Sequence, residues 1–117
     1  LTPSLCSMLR DPLLQARTSR YLNRGIELSA HELERTAGDP AVHALARFYK
    51  TRFEEAADFF DREVGQDLVG AFAQLQAEGI IEIITCAATH GFLPLMEAYP
   101  EAMRAQVLIG RDYHRDC

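Results

Sequence analysis

The sequence has no tryptophan, few cysteines, no excess of basic residues and no long apolar run. Its three cysteines, Cys6, Cys86 and Cys117, are widely spaced and odd in number, which excludes a disulfide framework. The sequence contains no Cys-x-x-Cys pair, which would have indicated a zinc site. Cys86 and His90 are spaced like two metal ligands, but no second Cys/His pair completes a tetrahedral set. We therefore predict that the chain has no metal site and that Cys86 is a buried, reduced thiol.

Charge and hydropathy exclude two further classes of partner. The formal net charge is −5 and the pI is near 5.3, so the chain offers no basic surface for nonspecific nucleic-acid binding. No apolar run approaches the roughly 18 residues of a membrane span, and no signal peptide is visible. We therefore expect a cytoplasmic protein with neither nucleic acid nor membrane as a partner.

The composition is typical of a soluble globular chain. Apolar residues make up 48% and charged residues 25% of the 117 residues, a length that suits one domain. The chain begins at Leu1 instead of methionine and ends at Cys117 within a helical pattern. We therefore expect it to be a piece of a larger protein.

Two Asp-Pro pairs predict the starts of long helices. In each pair the aspartate is a candidate N-cap, and the proline occupies the first turn, where its missing N–H costs nothing. The first helix is predicted from Pro12 to Gly38, although Gly25 could divide it. The second is predicted from Pro40 to Gly65. Its apolar residues lie three and four apart, which indicates a core-facing side.

A shorter helix, predicted between Asp67 and Gly79, precedes a change of pattern. Residues 80–88, IIEIITCAA, are rich in β-branched residues and nearly continuously apolar, which predicts a parallel strand buried on both faces. A loop follows, and Pro100 starts a last helix. A lone strand of this type leaves backbone groups unpaired on both edges, so we expect its partners elsewhere in a larger α/β protein.

The polar residues at the end of this strand form the candidate site. In parallel α/β folds the active site lies beyond the carboxyl ends of the strands, which is the position of Thr89, His90 and Gly91. His90 is the candidate for substrate contact, with Thr89 and Cys86 supporting it. Glu82 lies inside the strand, so it is either half of a buried ion pair or part of the site. The other histidines lie in helical segments and receive no role: His31, His43 and His114.

This stretch resembles the second conserved region of glycoside hydrolase family 57, in the version found in its 1,4-α-glucan branching enzymes. The resemblance is carried by GIIEIITCAATHGFLPL at residues 79–95, in which Gly-x-x-Glu-x-x-Thr precedes Thr-His-Gly-x-Leu-Pro. Residues 39–60, 67–79 and 100–116 are similar to the same subfamily. The resemblance therefore covers at least residues 39–116.

The resemblance implies an α/β fold, an incomplete (β/α)7 barrel. Residues 1–117 would be part of a single catalytic domain, with a helical segment at 1–78 followed by a barrel strand, an active-site loop and a helix at 79–117. It also implies an enzyme that acts on α-glucans without metal or organic cofactor. Branching enzymes of the family cleave an α-1,4 linkage and transfer the released chain to a 6-hydroxyl.

The resemblance further implies a retaining mechanism with a glutamate nucleophile and an aspartate general acid/base. The segments that carry them are not among residues 1–117, and the nucleophile segment is expected soon after Cys117. His90, Glu82, Thr89 and Gly91 carry over only as substrate-binding residues. Because tryptophan is missing, aromatic platforms for sugar rings are expected in the remainder of the same polypeptide.

Two alternatives to a branching enzyme stay open. One is another activity of the same family, an α-amylase or a 4-α-glucanotransferase. The other is a noncatalytic helical interaction module that donates its strand to the sheet of a partner, with the aromatic face of residues 45–60 as a docking surface.

Overall fold

The computed structural model of the protein describes residues 1–116, and Cys117 lies outside the described residues. Five α-helices account for most of these residues: α1 Pro3–Leu9, α2 Pro12–Arg35, α3 Pro40–Asp58, α4 Leu68–Ala77 and α5 Pro100–Asp116. Two compact units contain them, one of residues 12–67 and one that joins residues 1–11 to the residues from 68 onward. Within residues 1–116 no helix has both the length and the apolar character that crossing a membrane requires.

The unit of residues 12–67 is an antiparallel hairpin of α2 and α3. Both helices begin at the predicted prolines, and the Asp39 carboxylate accepts hydrogen bonds from the N–H groups of Ala41 and Val42 at 3.1 and 3.2 Å. Such a cap satisfies donors that a helix start leaves free. The predicted starts of the two long helices are therefore confirmed.

Gly25 does not divide α2, which is continuous from Pro12 to Arg35. Its place is explained by Phe53 of α3, because a Cβ added at Gly25 would lie 2.7 Å from that ring. The Phe53 ring also meets Tyr21 edge-on, with centroids 6.1 Å apart. Glycine at this position lets the two helices approach closely, and this packing outweighs its low helix propensity.

A π-helical turn, Phe59–Glu63, directly follows α3, and the sequence pattern did not predict it. Asp61 in this turn accepts hydrogen bonds from Ser19 Oγ at 2.5 Å and from Gln66 Nε2 at 2.9 Å. These two donors, Ser19 first, hold the pKa of the Asp61 carboxyl below its usual range, and burial opposes them. The turn thus joins α2 to the residues that follow α3.

The other unit packs α1 against α4 and α5. α1 was not predicted, although Thr2 caps it by accepting the Leu5 N–H at 3.1 Å and proline follows directly. Ser7 Oγ donates to Tyr113 OH at 3.0 Å, which connects α1 to α5. Cys6 of α1 and Val69 of α4 are buried.

The buried strand predicted at residues 80–88 is not confirmed, because residues 1–116 contain no β-strand. A strand is defined by ladder hydrogen bonds to a neighbour, and the described residues provide no neighbour. The Ile83 N–H instead donates to Gln76 Oε1 at 2.8 Å. Ile80 and Ile84 are 65% and 75% exposed, so the segment is not buried on both faces. The barrel that the resemblance implies stays a prediction.

Candidate functional site

The candidate site is a tight turn that reverses the chain after residue 86. The His90 N–H donates to the Ala87 carbonyl at 2.8 Å, which closes the turn. His90 has φ +58°, a left-handed conformation that few residues other than glycine adopt. Such a conformation costs on the order of 1–3 kcal/mol and is enriched at functional positions. The turn therefore holds an exposed imidazole on a constrained backbone.

Gln106 of α5 holds this turn through hydrogen bonds from both its side chain and its backbone. Its Oε1 accepts the Thr89 N–H at 3.0 Å, and its Nε2 donates to Thr89 Oγ1 at 2.9 Å. Its backbone carbonyl accepts the Ala88 N–H at 3.0 Å. Thr89 is thus fixed at both its backbone and its side chain by one residue of α5.

Gly110 allows α5 to lie against the backbone of the same segment. A Cβ added at Gly110 would lie 2.6 Å from the carbonyl oxygen of Cys86 and 3.2 Å from the amide nitrogen of Ala88. Both are backbone atoms, which cannot turn aside as a flexible side chain can. The glycine is buried, so this close contact is part of the packing that brings Gln106 to Thr89.

The Cys86 thiol contacts the His90 imidazole. Cys86 Sγ lies 3.1 Å from His90 Nδ1. The two residues are four apart in sequence, and the turn between them brings their side chains together. Cys86 is half-buried and has no disulfide partner, while His90 is exposed. The expectation of a buried cysteine is therefore met only in part.

Gly91 and Glu82 stand apart from these contacts. A Cβ at Gly91 would lie 2.5 Å from Met96 Cε, the flexible end of a side chain, so the short 3₁₀-helix Leu93–Met96 packs against the turn. Glu82 is exposed and forms no hydrogen bond or ion pair with the described residues. Glu82 was predicted to be either half of a buried ion pair or a carboxylate of the site. Within residues 1–116 it has no partner that would support either role.

From the sequence we named His90 and Thr89 as candidate site residues, but not Gln106 or Gly110. Both lie in a predicted helix, where glutamine is unremarkable. Gly110 carried the available signal, because glycine inside a helix costs about 1 kcal/mol relative to alanine and so indicates a close contact. No group of three His, Cys, Asp or Glu side chains within residues 1–116 is arranged to hold a metal ion.

The sequence and the structure were compared with those of known proteins. The sequence pattern of glycosyl hydrolase family 57 matches residues 11–117, which is nearly the whole chain. The chain belongs to glycosyl hydrolase family 57. The resemblance found at residues 79–95 is thereby confirmed.

The proteins most usefully compared with this chain are named as branching enzymes or as an alpha-amylase. The chain is 31% identical over 110 residues, 94% of its length, to a 1,4-alpha-glucan branching enzyme from Thermococcus kodakarensis. It superposes on the branching enzyme of Pyrococcus horikoshii with a TM-score of 0.90 at 31% identity, over 98% of this chain. It superposes on the alpha-amylase AmyC of Thermotoga maritima with a TM-score of 0.94 at 38% identity, over 99% of this chain.

The chain spans only a small part of each relative. It covers 16% of the Thermococcus kodakarensis enzyme, 21% of the Pyrococcus horikoshii chain and 22% of the AmyC chain. The matched structures therefore establish that residues 1–116 share the local fold of family 57 proteins.

Proposed function

We propose that this chain belongs to a retaining, α-glucan-active enzyme that cleaves α-1,4 linkages and forms α-1,6 branches. The observation that carries the proposal is membership of family 57 combined with 31% identity to a 1,4-alpha-glucan branching enzyme across 94% of the chain. The match through residues 11–117 favours an enzyme over a noncatalytic helical module, because it includes the aromatic face that a docking surface would use.

The reaction requires two carboxyl groups that this chain does not supply. A retaining glycosidase holds a nucleophile and a general acid/base roughly 5 Å apart on opposite sides of the scissile bond. We place the glutamate nucleophile and the aspartate acid/base outside residues 1–117. Residues 79–117 would then contribute a barrel strand, the loop beyond its carboxyl end and the next helix of an incomplete (β/α)7 barrel.

Within this chain we assign sugar contacts to the turn at residues 89–91. His90 is exposed, and the turn behind it is fixed by the hydrogen bonds of Gln106. A fixed imidazole can hold a sugar hydroxyl at a set distance from the cleaved linkage, which lowers the entropy lost on reaching the transition state. Thr89 and Gly91 shape this turn, and Glu82 lines the same cleft once the barrel is complete.

A second candidate is hydrolysis or 4-α-glucanotransfer on the same glucan. The superposition on the alpha-amylase AmyC, at 38% identity and a TM-score of 0.94, is closer than that on the branching enzyme. Hydrolysis, 4-α-glucanotransfer and branching share the formation of a glycosyl-enzyme. They differ in the acceptor that then attacks it, which is water in hydrolysis and a sugar hydroxyl where the site excludes water. The acceptor groove and lid lie outside residues 1–117 in this proposal.

Product linkage distinguishes these activities. The polypeptide that contains this chain is incubated with amylose, and α-1,6 linkages, reducing ends and chain lengths are measured. A branching enzyme produces new α-1,6 linkages that a debranching enzyme removes. Reducing ends that rise without branches indicate an α-amylase, and redistributed α-1,4 chains indicate a 4-α-glucanotransferase. Amylose that stays unchanged would overturn the proposal of an α-glucan-active enzyme.

A further inference from the structure

We propose that Cys86 is a positioning residue for His90. In this inference the Cys86 thiol donates its hydrogen to His90 Nδ1, across the 3.1 Å that separates the two atoms. The proton of the neutral imidazole then stays on Nε2. Nε2 has no hydrogen bond among residues 1–116, so it is the free donor of the site. That this donor meets a sugar oxygen rests on the function proposed above.

The direction of this hydrogen bond follows from the two partners. The thiol hydrogen has a second acceptor, the Ala87 carbonyl at 3.3 Å, but that oxygen already accepts the His90 N–H at 2.8 Å. If the thiol turned to Ala87, the contact at Nδ1 would need an imidazole N–H that donates to sulfur, which is a weak acceptor. An unprotonated imidazole nitrogen is the better acceptor, and it is also the nearer one.

The backbone around His90 is fixed, so the orientation of its imidazole ring is what remains free. The His90 N–H is bonded within the turn, and Thr89 just before it is held by Gln106 at both its backbone and its hydroxyl. The imidazole can still rotate about its side-chain torsions and exchange its tautomer. A single hydrogen bond at Nδ1 fixes both, just as a hydrogen bond to the other ring nitrogen orients a histidine that binds a metal.

The tautomer of His90 is measured by nitrogen NMR of the intact polypeptide labelled with 15N-histidine. At about pH 7.5, between the ordinary pKa values of imidazole, about 6.5, and of a thiol, about 8.5, both free groups are mostly neutral. The protonated and unprotonated ring nitrogens then have well-separated shifts. The variant His90→Asn assigns the signal, since it removes the ring while asparagine tolerates the left-handed backbone.

We expect the Nε2–H tautomer in the unmodified protein and in Cys86→Ser, whose hydroxyl is also a donor. Cys86→Ala removes the donor, and we expect a mixture of both tautomers. A proton on Nδ1 in the unmodified protein would overturn the inference. So would two protonated nitrogens at this pH, which indicate a thiolate–imidazolium pair, or an unchanged tautomer in Cys86→Ala.

Kinetics separate this inference from the function on which it rests. With amylose as substrate, Cys86→Ala is expected to lower kcat/KM about two- to tenfold, the value of one modest hydrogen bond, and Cys86→Ser to restore most of it. Equal loss in both variants would mean that the thiol acts through packing alone, which contradicts the inference. If the tautomers behave as expected but His90→Ala retains full activity, the proposed sugar contact fails while the Cys86–His90 hydrogen bond stands.

Discussion

Gln106 of α5 binds Thr89 at two points, the backbone N–H at 3.0 Å and the hydroxyl at 2.9 Å. The residue that precedes His90 is therefore fixed by a helix that begins eleven residues after it, at Pro100. The left-handed conformation of His90 needs such support, because the backbone strain must be balanced by contacts around it.

Replacing Gln106 by leucine should loosen the turn locally. The variant keeps the approximate size of the side chain but removes its hydrogen bonds to Thr89, while the backbone hydrogen bond from Ala88 is retained. We expect amide exchange at Thr89 to accelerate about 5- to 30-fold, corresponding to a loss of about 1–2 kcal/mol. Hydrogen exchange read residue by residue measures this change.

Gln74 of α4 provides the matched control for that experiment. It is an exposed glutamine whose Nε2 donates to Glu78 at 2.9 Å on its own helix. Gln74→Leu should leave exchange at Thr89 unchanged. Equal exchange rates at Thr89 in the Gln106 and Gln74 variants would show that Gln106 does not support the turn.

Gly110→Ala should destabilise the protein although alanine favours helices. The new Cβ would lie 2.6 Å from the Cys86 carbonyl, so α5 or the backbone at residue 86 must shift. We expect a net loss of about 1–2 kcal/mol in the free energy of unfolding, since overpacking typically costs 1–3 kcal/mol and helix propensity returns part of it. Denaturant unfolding gives the value.

Gly38→Ala is expected to have the opposite sign. A Cβ at Gly38 meets nothing within 4 Å, and its backbone does not have the left-handed conformation. Alanine there restricts the unfolded chain and should stabilise by about 0.4–1 kcal/mol. If both glycine variants change stability alike, the contact between Gly110 and Cys86 is not the cause.

The helix boundaries were predictable because their signals are local. Proline in the first turn and a capping aspartate act within four residues, and α2, α3 and α5 begin at the predicted prolines. The π-helical turn at Phe59–Glu63 was not predictable in this way. It depends on Ser19, forty-two residues from Asp61 along the chain, and no local pattern encodes that contact.

The candidate site divides along the same line. His90 and Thr89 were predicted because polar residues directly follow an apolar stretch, which is a feature of sequence order. Gln106 and Gly110 were missed because their importance arises where α5 contacts the turn. The strand at 80–88 was predicted from its β-branched pattern, but strands need partners and the described residues offer none.

Acid should weaken the contribution of Asp61 to stability. Its pKa is lowered in the folded protein because Ser19 and Gln66 donate to the carboxylate, so the folded state favours the ionised form. A lowered pKa gives stability that is present above the ordinary value of about 3.9 and is lost as the pH falls through the folded value. The lowered pKa of Asp61 therefore predicts that the protein loses stability on acidification.

Asp61→Asn isolates this contribution because it removes the charge and keeps the shape. We expect the variant to be less stable than the unmodified protein above about pH 5, and the difference to shrink below about pH 4. Denaturant unfolding across this range measures both proteins. A difference that stays constant into acid would show that the ionised carboxylate is not the stabilising form.

His90→Ala tests the proposed sugar contact in the intact polypeptide. We expect turnover of amylose to fall by about one to three orders of magnitude, equivalent to about 1.4–4 kcal/mol in the activation free energy of the reaction. His31→Ala is the matched control, since His31 is an exposed histidine of α2 with no assigned role. His90→Asn adds a second comparison, because asparagine accepts the left-handed backbone and separates loss of the imidazole from relief of strain. Thermal unfolding verifies that each variant is folded, and a folded His90→Ala with unchanged turnover would remove His90 from the site.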